Sequence, residues 1–309
     1  MYVTGKINVS GNCKICRGAV NQYIGHEPLG YCVPLIYNGT NFYQGGNYGG
    51  YDYVFRYDGG TTWTSVGKCG TGSAVCSMAA IGTQIYAGTN VVGKVFRYDG
   101  GTTWTDIGTC GSNTDIRCMT AISTQLYAGG GQDGKVYRYD GGTTWTSIGR
   151  LGASTCVTMM AVIGSQLYAS STNNHVYSYV SGTTWTDMGA LTGESIAWSL
   201  GVMGSQLYAG SYPNGKVFRY DGGTTWTSIG RCGSEERIYS IASVGTQLYA
   251  GSYPTGTIWK YESGTDWSSM GRCGSESDVF AFVVKGTQLY ASCGSGGSSG
   301  VYLRETVWP

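Results

Sequence analysis

The sequence predicts an all-β chain folded as a seven-bladed β-propeller, each blade a four-stranded antiparallel sheet. Three observations carry that prediction. Tryptophan recurs on a fixed ruler: Trp63, Trp104, Trp145, Trp185, Trp226, Trp267 and Trp308 are separated by 41, 41, 40, 41, 41 and 41 residues. A turn phrase travels with it, Tyr57-Asp58-Gly59-Gly60-Thr61-Thr62-Trp63, with copies at Tyr98, Tyr139 and Tyr220 and weaker ones at Tyr179 and Tyr261. The short segments between turns are rich in Val, Ile, Thr, Tyr and Trp, and too broken for helices. Self-similarity at about 40 residues with four strands per unit is the signature of propeller blades.

The third repeat shows the four strands in order. Arg117–Ile122 reads as strand a, Gln125–Ala128 as b, Lys135–Tyr139 as c and Thr144–Ile148 as d. Strand a carries small residues (Ala79, Ala80, Ala121, Ala161, Gly201, Ala242), as a crowded innermost strand requires. Strand c is apolar on both parities, with Val136, Tyr137 and Tyr139, which predicts a sheet buried on both faces. Strand d carries the tryptophan, where diverging blades need a large ring to fill the wedge between them.

Composition agrees and excludes other classes. Glycine supplies 53 of 309 residues, far above the ordinary ~7%, yet aromatics are 13% and the formal charge is +1, which is not the signature of disorder. With 5 prolines and no Gly-X-Y period, collagen is excluded. The balanced charge, without a lysine or arginine run, argues against a nucleic-acid partner. Apolar runs such as Met159–Ile163 are too short for a transmembrane segment. Nor does the segment from Met1 to Val9 carry the apolar stretch of a secretory signal.

At these residues the chain resembles two repeat families. Asp-Gly-Gly-Thr-Thr-Trp at Asp58, Asp99, Asp140 and Asp221 resembles the Asp-box (D-x-G-x-T-W) of sialidase-type BNR propellers, with Arg56, Arg97, Arg138 and Arg219 where the leading Ser or Thr stands. Leu126–Gly130, Tyr137–Asp140 and Trp145 are similar to a kelch repeat. The resemblance spans about residues 29–308 and implies that the Asp phrase forms the turn between strands c and d. It speaks to architecture, since such propellers host both hydrolases and binding modules. The repeated arginines read as structural ion-pair or stacking partners, and the repeated aspartates as acceptors for backbone N–H groups of their own turns.

Residues 1–28 precede the first full repeat and read as an N-terminal arm before the propeller of residues 29–309. A ring must manage the edges of its first and last blades, so Tyr2–Val9 is expected to add an outer strand to the seventh blade. Alternatively the arm is free or docks separately, or it mediates a homo-oligomer. Among 11 cysteines, Cys69, Cys110, Cys232 and Cys273 sit six residues after their tryptophans, in a column shared with Leu151 and Leu191. That exchange predicts buried, apolar thiols, with local pairing of Cys69 with Cys76 and of Cys110 with Cys118 left open. Cys13, Cys16, His26 and Cys32 are four potential zinc ligands without a recognisable finger spacing; a local disulfide and ordinary thiols are the competing readings.

Catalytic signatures are mostly absent: His26 and His175 stand alone, and there is no phosphate loop or dinucleotide fingerprint. No cofactor is expected. Function should sit where the repeats differ, on the face shared by the d–a and b–c loops. Thirty-two residues before the repeat tryptophan, blades 5 to 7 carry Glu194, Glu235 and Glu276, against Gly72, Asn113 and Ala153 in blades 2 to 4. Twenty-eight before it they carry Trp198, Tyr239 and Phe280, against Cys76, Arg117 and Val157, and their b–c loops add Tyr212 and Tyr253. Glu236 and Asp278 lie in the d–a loops. These residues predict a ligand-binding arc of aromatic rings and carboxylates; the competing reading has the rings filling the channel mouth and the glutamates solvated.

The leading functional expectation is a non-enzymatic, lectin- or adhesin-like propeller that binds a glycan or a protein surface. Such a module fits an extracellular, cell-surface or virion setting. Two alternatives stand beside it: a structural or assembly component, and a glycan-active hydrolase or lyase built on two of the carboxylates.

Overall fold

A computed structural model of the protein describes residues 22–25, 33–295 and 298–305. Among these residues 28 strands form seven four-stranded sheets and no helix, so the predicted propeller is the observed fold. Among the described residues no helix is long and apolar enough to cross a membrane. In the third blade the strands run Ile116–Ile122, Gln125–Gly130, Lys135–Gly141 and Thr144–Arg150, each covering its predicted segment. Neighbouring strands a pack side by side around the axis. A Cβ on Gly201 would lie 2.3 Å from the Ile241 side chain of the next blade, which is why small residues recur there.

The core is seven apolar layers, one between each pair of neighbouring blades. Each strand-d tryptophan joins two blades through its ring and its N–H. Trp104 Nε1 donates to the Val66 carbonyl at 2.9 Å, and Trp145, Trp185, Trp226 and Trp267 repeat the bond to Ile107, Ile148, Met188 and Ile229. An inner staple runs from strand a. Ser77 Oγ donates to the Ile116 carbonyl, Ser199 Oγ to that of Ile238 and Ser240 Oγ to that of Val279. Blade 7 moves this hydroxyl one strand outward: Ala281 stands where the serine would be, and its ladder partner Ser292 donates to the Val33 carbonyl at 2.7 Å.

Ring closure departs from the expectation. The fourth strand of blade 7 is Gln22–Tyr23, paired with Leu303 and Tyr302 of strand Ser298–Glu305. Trp63 Nε1 donates to the Ile24 carbonyl, the same bond that other tryptophans make to Ile107 and Ile148. Gly25 (φ +100°) would place a Cβ 2.3 Å from the Thr61 carbonyl, as Gly108 and Gly149 would against Thr143 and Thr183. Ile24-Gly25 is therefore the end of a strand d, and the first turn of chain supplies the last place in the ring. The expected closing segment, Tyr2–Val9, lies outside the described residues, as do Trp308 and the candidate zinc set Cys13, Cys16, His26 and Cys32.

The c–d turns differ in one detail. Arg56, Arg97, Arg138 and Arg219 pair with Asp58, Asp99, Asp140 and Asp221 at 2.7–2.8 Å. The aspartates accept from these guanidinium groups and from threonine on strand d (Thr105 for Asp99), not from N–H groups of their own turn as expected. The arginine, then the threonine, hold the Asp99 carboxyl below its ordinary value.

Candidate functional site

In every blade from 2 to 7, strand a carries a β-bulge at one position. The ladder steps from Val75 to Ser77, Ile116 to Cys118, Val157 to Met159, Ala197 to Ser199, Ile238 to Ser240 and Val279 to Ala281. A bulge inserts a residue and re-aims its side chain. The six skipped residues, Cys76, Arg117, Thr158, Trp198, Tyr239 and Phe280, all line one cavity of about 800 Å³ on the ring axis. Tyr253 and Ser277 place this cavity on the face of the d–a and b–c loops, where function was expected.

Register corrects the sequence alignment in blade 4. Counting back from the tryptophan selects Ala153 and Val157, but Ser154 and Thr158 occupy those places. Three residues separate Ser171 from His175 where four separate Gly130 from Lys135, so the count slips by one.

The three glutamates are not on the cavity wall. The Glu194 side chain is 0% exposed; it pairs with Lys216 at 3.1 Å and accepts from Ser211 Oγ, the Asn214 N–H and Asn214 Nδ2. Glu235, 2% exposed, accepts from Thr255 through its N–H and its hydroxyl. Glu276, 6% exposed, accepts from Ser295 Oγ at 2.8 Å. Each carboxylate clasps a d–a loop to the b–c loop beside it, as Asn113 does for the Gln132 N–H. The expectation that Glu194, Glu235 and Glu276 receive ligand is replaced by this internal role, because a buried carboxylate already accepting hydrogen bonds presents no free edge.

The aromatic arc is present and has an unforeseen centre. The Arg237 guanidinium lies 4.3 Å from the Trp198 ring centroid, 4.7 Å from Tyr212, 5.0 Å from Tyr239 and 5.4 Å from Tyr253. Tyr239 also meets Trp198 edge-on at 5.7 Å and Phe280 at 5.1 Å. Trp198, Tyr239, Tyr253 and Phe280 line the cavity with Arg237 and Asp278, and Tyr212 braces Arg237 without being a wall residue. Asp278, 8% exposed, accepts from Ser277 Oγ at 2.5 Å; burial raises its carboxyl above its ordinary value while Ser277, Tyr239 and Arg237 oppose that shift. Glu236 is exposed.

The opposite wall, from blades 2 to 4, is rich in sulfur: Cys76, Met78, Cys118, Met119, Cys156 and Met159, with Arg117 among them. Arg117 Nε pairs with Asp115 at 2.5 Å. Burial pushes the Cys156 thiol up to about 11. Cys69, Cys110, Cys232 and Cys273 are buried and form no disulfide, as their leucine-exchanging column predicts, so the local pairings left open for Cys69 and Cys110 are not made. Among the described residues no cluster of three or more His, Cys, Asp or Glu could hold a metal ion.

Sequence reading missed Arg237 and the sulfur wall. The available signal was that Arg237 is unrepeated. The residue preceding the bulge pair is Ala74, Asp115, Cys156, Ile196 and Asp278 in the other blades.

Fold and cavity together define a seven-bladed propeller with a chemically two-sided axial mouth. The DUF6242 beta propeller domain matches residues 126–302, more than half of the chain, and the chain belongs to that family. No curated protein matches it in sequence. Among solved structures it is similar to virginiamycin B lyase from Staphylococcus aureus, with a TM-score of 0.76 at 10% identity over 92% of this chain and 98% of that one. YCF48 bound to D1 peptide gives 0.69 at 14% identity, over 94% and 100%. The WD40 propeller of Doa1 gives 0.69 at 9% identity, over 91% and 94%. At these identities the likeness is one of fold.

Proposed function

We propose that this chain is a non-enzymatic recognition propeller that takes a segment of a partner protein into its axial mouth. The observation carrying this reading is the row of bulges, which turns one unrepeated side chain per blade toward a common cavity. A fold needs the bulge; it does not need Trp, Tyr, Phe, Arg, Cys and Thr at the same register place. The wall then supplies aromatic rings on one side and thioethers and thiols on the other, a polarizable surface that adapts to varied apolar groups.

A protein segment suits the site better than a glycan. The carboxylates that would have accepted from pairs of sugar hydroxyls are internal clasps, and Trp198 and Tyr239 stack on an arginine. YCF48, a propeller of the same shape, is described with a bound peptide. Binding is favoured over hydrolysis because Asp278 is the single carboxylate among the wall residues, whereas two-carboxylate glycoside hydrolysis needs a pair. Low charge with abundant Tyr, Ser and Gly fits a module working outside the cell, at its surface or on a virion.

The test is to probe a random-peptide array and a glycan array with the whole chain and with a Trp198→Ala/Tyr253→Ala variant. Peptide binding that the variant loses supports the proposal. Binding to glycans alone, or peptide binding indifferent to the two substitutions, overturns it.

A further inference from the structure

Resting on that binding reading, we propose that the mouth is built for an anionic group, a carboxylate of the bound segment, seated at the edge of Arg237. Arg237 carries an unsatisfied donor. Arg237 Nη1 donates to Tyr239 Oη at 2.5 Å, but its Nε is buried and has no acceptor among the described residues. No carboxylate there comes within ion-pair distance of the guanidinium, the Asp278 neighbour included. Burying such a donor without an acceptor is costly.

The rings explain how the donor is held. Aromatic rings around a guanidinium attract its charge and fix its orientation, yet they accept little from the N–H groups that lie in its plane. Those groups form a rigid fork whose natural partner is a planar carboxylate, gripped through two parallel hydrogen bonds. The low dielectric among these rings strengthens such a pairing.

The fold does not require this cation. The arginines of the c–d turns repeat from blade to blade, each beside its own aspartate, whereas Arg237 has no counterpart in its column. Across the mouth the Arg117 guanidinium is already paired with Asp115, whereas the Nε of Arg237 has no acceptor among the described residues. The aromatic wall around Arg237 is therefore suited to a negatively charged visitor with apolar flanks.

The test uses three isosteric probes, benzoate, benzamide and benzamidinium, titrated into the full chain and followed by calorimetry and by the Arg Nε–H resonances. Benzoate is expected to bind about tenfold tighter than either of the others, and to shift one buried Nε–H resonance. Arg237→Met should weaken benzoate by about tenfold and erase the preference, while Arg56→Met, in a turn on the opposite face, leaves both unchanged. Should Arg237→Met not fold, Arg237→Lys keeps the charge without the fork and is expected to lose most of the benzoate preference. N-acetylalanine against N-acetylglutamic-acid diamide-blocked at its α-carboxyl then separates a chain terminus from an acidic side chain; preferential binding of either supports the proposal and names the source. Tighter binding of benzamidinium overturns the anion assignment and leaves the recognition reading standing. Benzoate binding indifferent to Arg237, or no binding of any probe at about 10 mM, also overturns it, while the peptide array judges the wider reading separately.

Discussion

Ser292→Ala should be among the most damaging single-hydroxyl deletions in the ring. Ser292 lies in blade 7, where the circle closes onto blade 1. Its hydroxyl donates to the Val33 carbonyl at 2.7 Å and accepts from Gln44 Nε2 at 3.1 Å, and Ser292 and Gln44 are both 0% exposed. Deleting it strands an acceptor and a donor together, each costing about 1–2 kcal/mol when water cannot replace the partner, or about 2–4 kcal/mol in all. Ser199→Ala removes one equivalent bond, to the Ile238 carbonyl, and should cost about 1–2 kcal/mol. At about 2.1 cal/mol/K per residue, the chain's unfolding entropy near its midpoint is about 0.65 kcal/mol/K, so the expected losses in Tm are about 3–6 °C and 2–3 °C. Calorimetry and denaturant titration measure both. Blade 6 faces Ser240 to Gly251, so Ala281→Ser/Ser292→Gly rebuilds that arrangement and should recover about half the loss. A Ser292→Ala loss no larger than that of Ser199→Ala, or no recovery in the double variant, would refute the seam argument.

Three further outcomes follow from the same contacts. Glu194→Ala removes the partner of Lys216 and of the Asn214 N–H, and should cost about 2–4 kcal/mol by denaturant titration while benzoate affinity at Arg237 stays the same. Asp52 is fully buried, and burial raises its carboxyl above the ordinary 3.8 while the backbone N–H groups of Asp52, Gly70 and Gly72 and the Lys68 charge oppose that shift. A raised folded value favours the protonated form, so its contribution is complete below the ordinary value and is lost as pH rises through the folded one; Asp52→Asn should stabilise at pH 7 and have no such effect at pH 3. Alkylation mapped by mass spectrometry should find Cys69, Cys110, Cys232 and Cys273 inert in the native protein. Cys156 labelling should accelerate with each pH unit until its thiol titrates at about 11.

Much of the architecture was legible because its signals repeat. The Trp ruler marks staples between neighbouring blades, and the Cys/Leu column marks a buried apolar place. The closing strand leaves a fainter trace: Ile24-Gly25 is a copy of Ile148-Gly149, but no tryptophan precedes it, so the ruler does not reach it. The residues singled out for the candidate site part company in the structure. Trp198, Tyr239, Tyr253 and Phe280 do share a cavity, whereas Glu194, Glu235 and Glu276 turn away from it.

The sequence by itself determined the blade count, the strand order within each blade and the face on which the repeats diverge. Those are periodic properties, stated seven times over by local spacing. Only the tertiary structure decided which side chains reach the axis, what the carboxylates touch and where the ring closes. A bulge is a matter of register between strands, and the burial of Glu194 depends on Asn214 and Lys216 arriving from the neighbouring loop. Closure joins residue 23 to residue 302, a contact between the far ends of the chain that no local pattern records.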